Sequence, residues 1–271
     1  MKYRIILGAA IMLLMAACDK TSTVDPAKSE PEAAPPAAGK PAPPQDSSDF
    51  RTQQTGVTFR KVNNPKEVTD YVLQIPASYN TDKTKRWPVI IFLHGVGERG
   101  NTVNDLNKVK RAGLAGVAAK NPDFPYIVIS PQCKTDSWWN VPSLNVLYDD
   151  ILKQYNVDPK RIYVTGLSMG GFGCWEWVAA YPSKFAAAVP ICGVGPVAKA
   201  CALKDKPVWA FHNADDPTVN VSGSRNMVNA IKNCGGKVIK YTENATGGHD
   251  AWTKAYNDPA LFTWLSAQTL K

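Results

Sequence analysis

The chain has 271 residues, 31 Lys and Arg against 23 Asp and Glu, and a formal net charge of +8, which is long enough to bury one large core without metal or disulfide staples. Two of the basic residues, Lys2 and Arg4, sit in a leading segment and the others are scattered along the chain, so no basic stripe points to nucleic acid as a partner. There is no His-x-x-x-His pair and no cysteine cluster, and neither a metal nor a cofactor is expected.

Lys2 and Arg4 precede an apolar run from Ile5 to Ala17, too short for a stable membrane span and of the right length for a signal-peptide core, so residues 1–17 are expected to be an export signal. The run closes on Leu14-Met15-Ala16-Ala17-Cys18, which resembles a bacterial lipobox, with Cys18 as the lipidated new N-terminus; ordinary cleavage near Ala17 is the alternative. Residues 18–49 are rich in Pro, Ala and Ser and nearly free of large apolar side chains, and should form a disordered tether to the membrane. The protein is thus expected to be an exported lipoprotein of the cell envelope, periplasmic or surface-facing, with residues 50–271 as its folded domain.

In that domain, Gly56–Val62 and Val68–Pro76 alternate apolar and polar residues around Asn63-Asn64-Pro65, the pattern of an antiparallel hairpin. Trp87–Leu93 is an almost unbroken apolar run, as expected of a parallel strand covered on both faces. Helices and strands then alternate: a helix over Asp105–Ala119, a strand at Tyr126–Ser130, a helix at Ser143–Tyr155 and a strand at Arg161–Val164. A helix over Phe172–Tyr181, strands at Phe185–Ile191 and Val208–His212, a helix at Ser222–Cys234, a strand at Val238–Thr242 and a last helix from Pro259 complete the series. The expected fold is α/β, a mostly parallel, doubly wound sheet with helices on both faces and its reactive edge at the carboxyl ends of the strands.

Gly166-Leu167-Ser168-Met169-Gly170 stands between the strand ending at Val164 and the helix that starts near Phe172. A serine on so tight a strand-to-helix turn has a strained backbone, and a Cβ on either glycine would collide with the element across the turn. Ser168 is therefore the candidate nucleophile. Its base must be one of three histidines. With partners following in the order serine, acid, histidine, His94 is excluded; His212 ends a strand, and His249 lies in the flexible loop Gly247-Gly248-His249-Asp250, which makes His249 the base. His94 and His212 are expected to hold loops at strand ends. Asp215, Asp216 and Asp250 compete as the acid; Asp250 is adjacent to His249 and would point away, so Asp216 is chosen with Asp215 as the alternative. The oxyanion hole would combine the N–H groups of Met169 and Val96, with Gly97 in place of Val96 as the other option. Trp138 and Trp139 lie just past a strand's carboxyl end, where an acyl or sugar group would rest, although either could simply pack beneath its loop. Trp175 and Trp177 should be core. Among the cysteines, Cys201 and Cys234 lie at element ends and are the first choice for a bridge, while Cys192 reads as a buried small hydrophobe.

Leu93-His94-Gly95 with Gly97-Glu98-Arg99-Gly100, Gly166 to Gly171, Phe211-His212 with Asp216 and Val219, and Gly248-His249-Asp250-Ala251-Trp252 together resemble the α/β-hydrolase superfamily, in particular its carboxylesterase, phospholipase and dienelactone-hydrolase-like esterases. The resemblance runs from about Val68 to Leu270 and implies the α/β-hydrolase fold and a Ser-His-Asp triad with Asp216 as its acid. Asn213 and Asn220 depart from the family pattern in turns. The implied activity is cleavage of small or polysaccharide-linked carboxylic esters through an acyl-enzyme, with no obligate protein partner. A serine peptidase of prolyl-oligopeptidase-like type, or a lipoprotein that only binds, are the alternatives.

Overall fold

A computed structural model describes residues 50–62 and 68–271. The export signal, Cys18, the tether and the turn at Asn63-Asn64-Pro65 lie outside the described residues. Among the described residues eight strands form one sheet: β1 (Gly56–Lys61), β2 (Val68–Ile75), β3 (Trp87–Leu93), β4 (Ile127–Cys133), β5 (Val157–Leu167), β6 (Ala187–Ile191), β7 (Val208–Asn213) and β8 (Ile239–Asn244). Their order across the sheet is β1-β2-β4-β3-β5-β6-β7-β8. β1 and β2 pair antiparallel, from Gly56 opposite Ile75 to Lys61 opposite Asp70, and β2 joins β4 antiparallel. From β4 to β8 every pairing is parallel, so the carboxyl ends of the central strands share one edge.

Among the described residues seven α-helices cover the sheet: α1 (Leu106–Arg111), α2 (Gly113–Ala118), α3 (Val141–Gln154), α4 (Met169–Ala180), α5 (Ser222–Asn233), α6 (Trp252–Asn257) and α7 (Pro259–Ser266). The alternation along β3 shows how they divide. Trp87, Val89, Ile91 and Leu93 face a core with Leu144 and Leu147 of α3, Trp175 and Trp177 of α4, and Met227 of α5. Ile90 and Phe92 face the other way, into a core with Leu114 of α2, Tyr256 of α6 and Leu261 of α7. This is the period of two expected of a pleated strand, with both faces buried by helices.

The single helix expected over Asp105–Ala119 is two helices. Ala112 is extended at φ −89°, ψ 144° and Gly113 follows at φ 41°, a left-handed conformation that glycine adopts at little cost. The break serves two packings: Leu106 and Val109 of α1 meet Val72, whereas α2 turns Leu114, Ala115 and Ala118 toward the Phe92 face. β5 is longer than its expected core, running eleven residues and pairing at its start with Trp87. α6 was not expected, because its sequence continues the histidine loop without an apolar period of its own. A disulfide joins Cys201, in the 3-10 turn Val197–Leu203, to Cys234 at the end of α5, and Cys133, Cys174 and Cys192 are buried thiols. Among the described residues no helix is long and apolar enough to cross a membrane.

Candidate active site

Ser168 caps the carboxyl end of β5 and starts α4 in a strained conformation, φ 52° and ψ −120°. For a non-glycine residue such a backbone costs on the order of 1–3 kcal/mol and persists only where its surroundings impose it. They do so here. The Ser168 N–H donates to the Ile191 carbonyl of β6 at 3.0 Å, a Cβ on Gly166 would strike the Gly170 carbonyl, and one on Gly170 would strike the Leu93 carbonyl. Gly95, after β3, approaches so closely that a Cβ there would lie 3.7 Å from the Ser168 Cβ. Cys192, at the end of neighbouring β6, has φ 40°, a second left-handed residue beside the turn that no sequence signal announces.

Three side chains from separate segments meet at this edge. The Ser168 hydroxyl lies 2.8 Å from Nε2 of His249, and Nδ1 of His249 lies 2.7 Å from Oδ2 of Asp216. Carboxylate oxygens only accept, so Nδ1 carries the proton of the neutral imidazole and Nε2 is left to accept from the serine. The Asp216 carboxylate is fully buried while His249 is 21% exposed. Oδ1 of Asp216 accepts the N–H groups of Thr218 and Val219 at 2.8 and 2.9 Å. Burial pushes the Asp216 pKa up, but the hydrogen bonds from His249, Val219 and Thr218 outweigh it and the carboxyl is held below its ordinary value, which favours its ionised form.

Asp215 does different work. Its two oxygens accept the N–H groups of Gly247 and Gly248 at 3.2 and 2.9 Å, where Gly247 and Gly248 have φ of 139° and 57°, and so it shapes the loop that carries His249. Asp250 accepts from Thr253 at the start of α6 and does not touch the imidazole. The other two histidines are buried and hold loops. His94 donates from Nδ1 to the Gly95 carbonyl at 2.6 Å and accepts the Cys133 N–H at Nε2, and burial drives its pKa down to about 4.

The two tryptophans separate. Trp138 is 51% exposed, with its ring edge-on to Phe172 in the first turn of α4. Trp139 is only 6% exposed: it donates from Nε1 to the His94 carbonyl at 3.1 Å and packs edge-on against the His94 ring. A substrate platform at Trp139 is therefore ruled out; the indole is a strut under the loop Gly95–Arg99. In that loop Val96 opens a 3-10 turn, and Met169 is the first residue of α4. Both amides stand where no carbonyl of their own helix can take them, as an anion-binding pair requires. Trp252, at the start of α6, sets its ring edge-on to His249 with centroids 5.4 Å apart. It also borders an open pocket of about 670 Å³ together with Leu167, Glu98, Gly113 and Tyr256. Trp252 closes the run Gly248-His249-Asp250-Ala251-Trp252, in which nothing local signals this contact.

Cys192, Asp216 and His249 offer ligand-type atoms within 4.8 Å of one another, yet burial pushes the Cys192 thiol up to about 12. The sulfur stays protonated and donates to the His249 carbonyl at 3.5 Å, a poor start for a metal ligand.

A solved structure described as a thermostable esterase superposes on 79% of this chain and 62% of its own with a TM-score of 0.64 and 34% sequence identity. The chain has the α/β-hydrolase fold. A bifunctional acetylxylan esterase/xylanase of Neocallimastix patriciarum is 28% identical over 140 residues, 49% of this chain and 20% of that protein. An uncharacterised secreted protein of Arthroderma benhamiae is 28% identical over 201 residues, 64% of the chain and 20% of the relative. The chain thus spans about a fifth of the length of these two relatives and under two thirds of the esterase. No family model matches the chain.

Proposed function

We propose that this protein is a serine carboxylesterase that cleaves small esters, or esters decorating a polysaccharide, through an acyl-enzyme. The observation that carries the reading is the unbroken relay from Ser168 Oγ through His249 to the buried Asp216 carboxylate, seated on a strained turn of the fold. The hydroxyl attacks the ester carbonyl while its proton passes to Nε2 of His249, and Asp216 stabilises the imidazolium so formed. The oxyanion is received by the N–H groups of Met169 and Val96. The imidazolium then returns the proton to the departing alcohol, and a water molecule repeats the sequence on the acyl-Ser168 ester. Trp138, exposed beside α4, and the pocket bordered by Leu167 and Trp252 would receive the two halves of the ester. A likeness to esterases supports the ester class, and a secreted relative is in keeping with export. Lipidation at Cys18 would hold the enzyme at the cell envelope.

The test is a panel of p-nitrophenyl esters of increasing chain length beside acetylated and feruloylated glycans, with acyl-peptide p-nitroanilides as a competing arm. The short esters or a glycan ester should turn over, and Ser168→Ala should lower the rate by several orders of magnitude. Faster turnover of a peptide anilide than of any ester would sink the reading.

A further inference from the structure

The scheme above leaves His212 without a task, although the residue stands against its acid. His212 is the penultimate residue of β7, four residues before Asp216, and both side chains are fully buried. Its Nε2 lies 2.9 Å from the Val219 carbonyl oxygen and 3.2 Å from Oδ2 of Asp216, and its Nδ1 lies 2.8 Å from Oγ of Ser224. Carbonyl and carboxylate oxygens only accept, so Nε2 bears the ring proton and Nδ1 of the neutral ring is an acceptor. The Ser224 hydroxyl proton has two acceptors in reach, Nδ1 at 2.8 Å and the more distant Gly193 carbonyl at 3.2 Å, and the shorter contact is to Nδ1. Burial lowers the His212 pKa against the opposing pull of the Val219 carbonyl and Asp216, which keeps the ring neutral while the enzyme works. Oδ2 of Asp216 therefore lies close to two proton-bearing imidazole nitrogens, Nδ1 of His249 at 2.7 Å and Nε2 of His212 at 3.2 Å, the latter shared with the nearer Val219 carbonyl.

We propose that His212 is a positioning residue for the reaction: its Nε2–H is a second donor to the Asp216 oxygen that holds His249, and it limits how far that carboxylate favours the charged form of His249. The proposal rests on Ser168, His249 and Asp216 acting as a triad. A donor on Oδ2 withdraws electron density from the oxygen and turns the positive end of a dipole toward His249, and both effects disfavour the imidazolium. The base thus remains free to accept a proton at lower pH. Ser224 strengthens the device, because a hydrogen bond received at Nδ1 makes the ring a better donor at Nε2. Other charged or titratable groups face this cluster. They are the Cys192 thiol at the end of β6, the carboxylates of Asp215 and Asp250 in the flanking loops, and Glu243 of β8 in its pair with Arg225 of α5. None of them touches Oδ2 of Asp216.

The experiment is the pH profile of kcat/KM for a neutral p-nitrophenyl ester, with enzyme concentration set by active-site titration so that misfolded protein does not count. His212→Leu should move the acid limb upward by about half a pH unit, the scale of one weak hydrogen bond to a charged group. His212→Gln, whose amide N–H can replace Nε2–H, should restore the limb of the parent. An acid limb of His212→Leu that coincides with the parent's overturns the proposal, and so does a loss of activity without movement of the limb, since that is what a merely structural histidine would give. If His212→Leu does not fold, Ser224→Ala decides: a smaller upward shift supports the proposal and an unmoved limb overturns it. A parent enzyme that hydrolyses no ester, or shows no acid limb, would instead bring down the triad on which the proposal stands.

Discussion

Asp216→Asn is close to isosteric, and the hydrogen bonds around the carboxylate dictate what it does. Oδ1 accepts from two backbone N–H groups, so the asparagine oxygen must take that place and its NH2 group must occupy the position of Oδ2. There it confronts Nδ1–H of His249, 2.7 Å away in the parent. Two donors cannot face each other, and His249 is forced into the tautomer with Nδ1 bare and the proton on Nε2. That proton then points at Ser168, and the base can no longer take the serine's own. The expected loss is about three to four orders of magnitude in kcat, or about 4–5.5 kcal/mol of transition-state stabilisation, with KM little changed. Asp215→Asn keeps one acceptor for the Gly247–Gly248 turn and leaves the relay untouched, so its loss should be about tenfold or less. Steady-state kinetics on both variants, with circular dichroism to verify folding, make the comparison; a large loss at Asp215 beside a small one at Asp216 would refute the assignment.

The disulfide closes a loop with a sequence separation of 33, so Cys201→Ser with Cys234→Ser should cost about 3–4 kcal/mol and lower Tm by about 10 °C, measurable by calorimetry. Glu243 is held down to about 2, by its hydrogen bond to Arg225 first and to Tyr241 second. A depressed carboxylate stabilises the fold above its unfolded pKa, so this contribution is complete above about pH 5 and is lost as pH falls from about 4 toward 2. Glu243→Gln should flatten the acid slope of stability in that window, by a modest amount because the pair is partly exposed; an identical slope would contradict it. Cys18→Ala should remove a lipid label and move the protein to the aqueous phase on detergent partition, and unchanged membrane retention would remove the lipoprotein reading.

The sheet was legible because its signals are local. β3 reads as buried on both faces from seven consecutive residues, and the Gly-x-Ser-x-Gly turn carries its steric reason in its own glycines. What escaped the sequence depends on partners far along the chain. The break at Ala112 exists because α1 and α2 pack on different neighbours, Val72 and Phe92, and nothing between Asp105 and Ala119 encodes that difference. The same limit applies to Trp138 and Trp139: adjacent and chemically identical, they part only because the His94 carbonyl waits for one indole N–H. Asp215 and Asp216 are distinguished in the fold by which of them meets the imidazole and which meets the glycine turn, a choice that backbone geometry makes and residue type does not.

Labelling with a fluorophosphonate, followed by intact mass and peptide mapping, tests the central claim most directly, because the probe reacts covalently only with a serine whose proton a neighbouring base can accept. One adduct per chain is expected, located on Ser168 and absent from Ser168→Ala and from enzyme at a pH low enough to protonate His249. Full ester hydrolysis with no adduct, or with the adduct on another residue, would contradict the account.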